Sequence, residues 1–108
     1  AYAIGVAKPV GLYVNTYGTA RVALSDGEIA RRIGAMKEFD MRPYFIEQRF
    51  QLRTPIYAET AAYGHMGRQP RTVTKVFNNA GQSTKAKVRL FPWEDLNALP
   101  AVKKAFGL

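Results

Sequence analysis

The stretch TVTKVFNNAGQSTKAKVRLF, residues 72–91, decides how this chain is read. Two runs, TVTKVFNN and STKAKVRLF, flank Ala80-Gly81-Gln82. The first is rich in β-branched and aromatic residues. In the second, Ala86, Val88 and Leu90 alternate with Lys85, Lys87 and Arg89. A period of two sends alternate side chains to opposite faces of a strand. One face is therefore apolar and the other basic. A short loop containing glycine joins the runs, so 72–90 is predicted as a β-hairpin.

The residues on either side of the hairpin alternate between helix and strand signals. Ser25 and Glu28 form a capping-box pattern, with Leu24 and Ile29 placed as a hydrophobic staple. Ile29, Ile33 and Met36 share one helical face, and Arg31, Arg32 and Lys37 lean to solvent. This helix is expected to stop near Phe39. A second begins at Pro43, a residue suited to the first helical turn, buries Ile46, Phe50 and Phe45, and is broken by Thr54-Pro55. Residues 57–63 suit a short helix that Gly64 can cap. A last short helix spans 99–106.

The N-terminal residues carry strand chemistry at 2–7 and 10–17, with Lys8-Pro9 between them as a breaker. The predicted class is α/β in the two-layer α+β sense. It has a small sheet covered by two main helices on one face, a C-terminal hairpin and a short terminal helix. The chain of 108 residues fits one domain, 1–108, with 72–90 as an extension inside it. AYAIGVA is strand-like from its first residue and lacks an initiator methionine, so the chain is expected to be the C-terminal part of something longer. AFGL reads as its natural end.

Composition narrows the function classes. Hydrophobic residues make up 47% of the chain, enough for a core. No apolar run reaches the roughly 18–20 residues of a membrane span, so no membrane partner is expected. There is no cysteine, which removes disulfides, thiolate metal sites and thiol nucleophiles, and suits a reducing, cytoplasmic setting. Sixteen basic residues against eight acidic ones give a formal charge of +8. That excess suits a polyanionic partner, or simply solubility.

The motif with most apparent chemistry is TAAYGHMGR, residues 60–68, which holds the only histidine, His65. An imidazole can act as a general base near neutrality, but it needs a nucleophile and an orienting carboxylate. Of the acids only Glu59 is close in sequence, so a structural histidine is the favoured reading. The segment Gly64-His65-Met66-Gly67-Arg68 lacks the spacing of a phosphate loop. Its glycines suit positive backbone dihedrals instead. The eight acids form no dense metal-ligand pattern, and Asp26 and Glu28 fit helix capping. Lys85, Lys87 and Arg89, with Lys75 and Arg71 nearby, can meet phosphates, and Phe77 and Phe91 are candidate stacking platforms. A solvated hairpin face is the default.

Taken together, YAIGVAKP (2–9), YGT (17–19), FDMRP (39–43), PIYAETAAYGHMGR (55–68) and FPWE (91–94) resemble the C-terminal part of the S-adenosylmethionine synthetases, or methionine adenosyltransferases, of the bacterial type with an extended tail. The resemblance covers nearly the whole chain. It implies an enzyme that joins L-methionine to ATP, with the methionine sulfur attacking the ribose C5′ carbon. The leaving triphosphate is then cut to pyrophosphate and phosphate. It implies Mg2+ and K+ as cofactors and a homo-dimer or homo-tetramer. The family's catalytic, metal-binding and methionine-binding residues match no position here, so no catalytic or metal site is expected and the chain alone is expected to be inactive. One position does match. Ile4, in YAIG, corresponds to an isoleucine that lines the adenine pocket. The hairpin departs from the shorter enzymes, and no role is implied for it. Two rival readings are an autonomous basic nucleic-acid-binding module and a structural dimerisation domain using 2–17; nucleic acid is the less expected partner.

Overall fold

The computed structural model describes residues 1–108. The chain is α+β: three α-helices and one two-stranded antiparallel sheet. It forms two compact units, Ala1–Ile46 with Asn97–Leu108, and Glu47–Leu96.

In the first unit, helix α1 runs Asp26–Ala35, and the Ser25 side chain accepts from the Glu28 N–H as the capping pattern predicts. The reciprocal arm of the box is absent, because the Glu28 carboxylate is held by Arg31 at 2.6 Å and Arg32 at 3.4 Å. Asp26 reaches back instead, and its carboxylate accepts from the Thr16 N–H and hydroxyl. Ile29 is buried, with Ile33 and Met36 half-buried beside it, as the helical spacing predicts. The helix ends sooner than expected. Met36 turns extended and bonds back to the Ile33 carbonyl, and a single 3₁₀ turn, Lys37–Phe39, follows. Gly34, with its poor helix propensity, sits in that weak last turn.

Helix α3, Leu99–Phe106, falls where the sequence places it. Gly107 ends it with φ at 69°, and its N–H and that of Leu108 return to carbonyls of the last turn. This is a Schellman closure, for which glycine is suited. The Arg32 guanidinium donates to the Ala105 carbonyl and lies 5.9 Å from the Phe106 ring centre, tying α1 to α3.

Residues 2–17 form no strand, which corrects the expected N-terminal sheet beneath the helices. Strand chemistry becomes a strand only beside a partner, and the one ladder in the chain lies elsewhere. Pro9 has no N–H to give to a ladder. Ala3–Val6 closes into a turn, with Gly5 at φ 80° and the Val6 N–H bonded to the Ala3 carbonyl. The segment leaves Tyr2, Ile4, Val6, Val10, Tyr13 and Tyr17 exposed.

In the second unit, α2 (Pro43–Phe50, which begins in the first) stops four residues before Thr54-Pro55. Ile46 and Phe50 are half-buried, while Phe45 stays exposed with the Arg42 guanidinium 4.0 Å from its ring centre. The expected helix at 57–63 is a 3₁₀ turn, Ala58–Ala61. The hairpin is present. Strand β1, Arg71–Asn79, pairs with β2, Gln82–Leu90. Ala80 and Gly81 make the loop with φ of 51° and 80°, the two positive values that a type I′ turn requires. Val88 and Leu90 point into a core with Ile56 and Phe91, against which Leu52, Val73, Ala86 and Trp93 pack.

Candidate functional site

The loop that follows the second 3₁₀ turn has three residues with positive φ: Tyr63 at 64°, Gly64 at 74° and Gly67 at 69°. For Tyr63 that conformation is strained, so something must hold it. Arg68 does. Its Nη1 donates to the carbonyls of Glu59, Ala62 and Gly64 at 3.3, 2.7 and 2.7 Å. Its guanidinium carbon lies 4.4 Å from the Phe91 ring centre, a cation–π contact. Its own N–H donates to the Glu94 carboxylate at 3.1 Å.

Segment 91–94 supplies the other half of this clamp. Phe91 is wholly buried, with φ at 51°, a left-handed backbone that points its ring into the core directly after β2. The Trp93 indole donates to the His65 carbonyl, and the two rings meet edge to face at 6.2 Å. Phe91 and Trp93 meet edge to face at 6.1 Å. Thus Phe91, Trp93 and Glu94 each grip the loop 63–68 through a different interaction.

His65 takes part through its backbone carbonyl and the edge-to-face contact of its ring with Trp93, and the residue is otherwise exposed. The one carboxylate close to it in sequence, Glu59, belongs to Lys75 at 3.0 Å. That hydrogen bond holds the Glu59 carboxyl below the usual carboxylate range. The carboxylate closest to His65 in sequence is thus engaged elsewhere.

The basic cluster is divided. Thr72, Thr74, Val76 and Asn78 of β1 lie opposite Arg89, Lys87, Lys85 and Ser83 of β2 and share their face. Arg71 and Lys75 sit on the other face, opposite Leu90 and Ala86. That corrects their grouping with the stripe, since odd and even positions of one strand cannot share a face. Arg89 is engaged by Asp95 at 2.7 Å, which holds that carboxyl below its usual range. Phe91 is core, and Phe77 lies on the face of Arg71 and Lys75, opposite to that of Lys85 and Lys87. Neither ring therefore stands as a stacking platform beside Lys85 and Lys87.

Ile4 stands on the turn Ala3–Val6 with its side chain fully exposed, at 106%. In the same unit a cleft of about 390 Å³ opens between segment 8–12 and the end of α1, and Lys8, Met36, Phe39 and Arg42 are among its lining. Asp40 in its wall is ion-paired with Arg42 at 2.6 Å, and the carboxyl is held low by that bond. No three of the chain's His, Asp and Glu side chains gather to hold a metal.

The sequence reading missed the clamp, whose halves lie 26–28 residues apart. Two signals pointed to it. A tryptophan near a core needs an acceptor for its N–H, and an arginine after a twice-glycine loop is placed to cap open carbonyls.

These features define an α+β fold whose loop 63–68 is locked by side chains. The family model for the S-adenosylmethionine synthetase C-terminal domain matches residues 1–88, and the chain belongs to that family. It is similar along its whole length to S-adenosylmethionine synthases of Cytophaga hutchinsonii (65% identical), Flavobacterium johnsoniae (60%) and Phocaeicola vulgatus (54%). It covers 100% of its own length but 26%, 26% and 25% of theirs. The chain thus spans about a quarter of the curated relatives it matches. No solved structure is significantly similar to it.

Proposed function

We propose that this chain serves as the C-terminal domain of a methionine adenosyltransferase, an enzyme that makes S-adenosylmethionine from ATP and L-methionine and releases phosphate and pyrophosphate. The observation that carries this reading is the match of this whole chain to about a quarter of the length of S-adenosylmethionine synthases, at up to 65% identity. The whole enzyme is read as a cytoplasmic homo-dimer or homo-tetramer that works with Mg2+ and K+. Those ions do not suit the residues of this chain. Its carboxylates are spread out, and Glu28, Asp40, Glu47, Glu59 and Asp95 are neutralised by cations. The reading therefore gives metal binding and bond breaking to the rest of the enzyme.

Within this reading Ile4 contributes an apolar contact to the adenine ring. Its exposure on a tight turn supports this, because a projecting aliphatic side chain can pack against a flat base and exclude water. The clamp at 63–68 and 91–94 has a different part: it holds the domain's shape. The 108-residue chain is expected to yield no S-adenosylmethionine when incubated with ATP, methionine, Mg2+ and K+. Product from a preparation free of longer enzyme would overturn the assignment of chemistry to other segments. In the longer enzyme, Ile4→Ala is expected to raise the KM for ATP about fivefold to tenfold and leave kcat nearly unchanged, the pattern of lost uniform binding. An unchanged KM would remove Ile4 from the pocket.

A further inference from the structure

The outer half of the hairpin is not used by the clamp or by the proposed chemistry. Residues 76–85 are exposed on both strands, Val76 by 53% and Phe77 by 43%. No Asp or Glu occurs anywhere between 71 and 90. Of the five cations in that span, Lys75 and Arg89 have acidic partners and Arg71 lies 5.8 Å from the Phe91 ring centre. Lys85 and Lys87 are exposed and form no ion pair.

The register says where their backbone points. Antiparallel pairs alternate between hydrogen-bonded and open, and the pair beside a two-residue loop, Asn79 with Gln82, is a bonded one. Val76–Lys85 and Thr74–Lys87 are therefore open pairs. Their main-chain N–H and C=O groups face outward along the two edges of the arm. On β2 that free edge belongs to Ser83, Lys85 and Lys87. An unpaired edge is a template for another strand. Its charge decides which one. A second copy would bring lysine against lysine in chains that each carry +8. An acidic strand would bring opposite charges together, and carboxylates two residues apart repeat at about 7 Å, the spacing of Lys85 and Lys87.

We infer that the β2 edge of the arm docks an extended acidic segment of another polypeptide by strand addition, with carboxylates at alternate positions set against Lys85 and Lys87. Main-chain hydrogen bonds supply the pairing, and the two lysines select the partner.

The test is fluorescence anisotropy of the chain with a labelled ten-residue peptide alternating glutamate and valine. Saturable binding is expected, weakened about tenfold or more by K85E/K87E, because two attractions become repulsions. Circular dichroism confirms that this surface variant is folded. The same peptide N-methylated at alternate amides keeps its charge and cannot pair; it too is expected to bind at least tenfold more weakly. No binding of the unmodified peptide would overturn the inference. So would equal binding of the N-methylated peptide or of a single-stranded oligonucleotide of equal charge, since either would mean that charge alone is read. Sedimentation showing dimers that K85E/K87E dissolves would give the edge to a second copy and overturn it as well.

Discussion

Residues 2–17 and 72–90 carry the same strand chemistry, yet only the second region forms a ladder. Both carry three valines, the first with three tyrosines and the second with three threonines, and both alternate in places. The hairpin needs no distant partner. Ala80 and Gly81 bring nine residues of β1 onto nine of β2, so loop closure costs little. Segment 2–17 has no such neighbour, and most of its hydrophobic side chains, Tyr2, Ile4, Val6, Val10, Tyr13 and Tyr17, remain exposed. Strand propensity is thus a statement about fitting a surface, and the surface has to be supplied.

If that contrast is right, damage at the base of the hairpin should far outweigh damage in 2–17. The largest effect is expected at Phe91, which is 0% exposed. Phe91→Ala removes a fully buried ring and the platform beneath Arg68, and is expected to cost about 3–5 kcal/mol in urea denaturation. A cost below about 1 kcal/mol would mean that the Ile56–Val88–Leu90–Phe91 core does not hold this unit together.

Arg68 comes next. Arg68→Met keeps the aliphatic stem but leaves three carbonyls and a strained Tyr63 without their donor. Hydrogen bonds from a charged group set the scale, and because Arg68 is half-exposed the expected loss is about 2 kcal/mol. Arg68→Lys should recover less than half, since an ammonium cannot reproduce the planar fork. Equal stability of the two variants would point to charge rather than geometry.

Trp93 and His65 separate backbone from side chain. Trp93→Phe deletes the indole donor to the His65 carbonyl and is expected to cost about 1 kcal/mol. His65→Ala leaves that carbonyl in place and is expected to change stability by less than about 0.5 kcal/mol. A loss from His65→Ala matching that from Trp93→Phe would show the imidazole itself to be the contact.

How much of this was legible beforehand follows the same divide between local and distant signals. The hairpin was readable from its period of two and its glycine loop, and α1 from Ser25 and Glu28. Helix α3 was readable from the basic, apolar run ending at Gly107. Each rests on residues close in sequence. The N-terminal strands were misread because alternation is local while pairing is not. Arg71 and Lys75 were grouped with Lys85 and Lys87 because composition ignores which face a residue takes. The clamp was invisible as a site because Arg68 and Glu94 lie 26 residues apart. Only the resemblance marked both halves as belonging to one family pattern.

Acid titration offers a smaller, graded test. Lys75, Arg89 and Arg42 hold the carboxyls of Glu59, Asp95 and Asp40 below their ordinary values, and Arg31 lowers Glu28 to about 2. A folded pKa below the unfolded one means that the unfolded chain binds more protons in between, so stability rises with pH across that window. The contribution is whole above the ordinary carboxylate range of about 4–4.5. It is lost as pH falls through the lowered folded values. Because these groups are largely solvated, the slope is expected to be shallow and to flatten further in high salt. Glu59→Gln should reduce the slope, and an unchanged slope would mean that the Lys75 bridge adds nothing between the hairpin and the 3₁₀ turn.

The smallest expected effect is at Ile4, where it is the most informative. Hydrophobic stabilisation comes from apolar area removed from water, and the Ile4 side chain removes none, being exposed at 106%. Ile4→Ser should therefore leave the urea midpoint of this chain unchanged within error, although isoleucine is among the residue types most often buried. A residue that costs nothing to change in the isolated fold, yet raises the KM for ATP when changed in the longer enzyme, is held for contact rather than for folding. A measurable loss of stability from Ile4→Ser would mean that segment 2–17 packs its apolar side chains after all, and the difference between the two strand-like regions would then be one of degree.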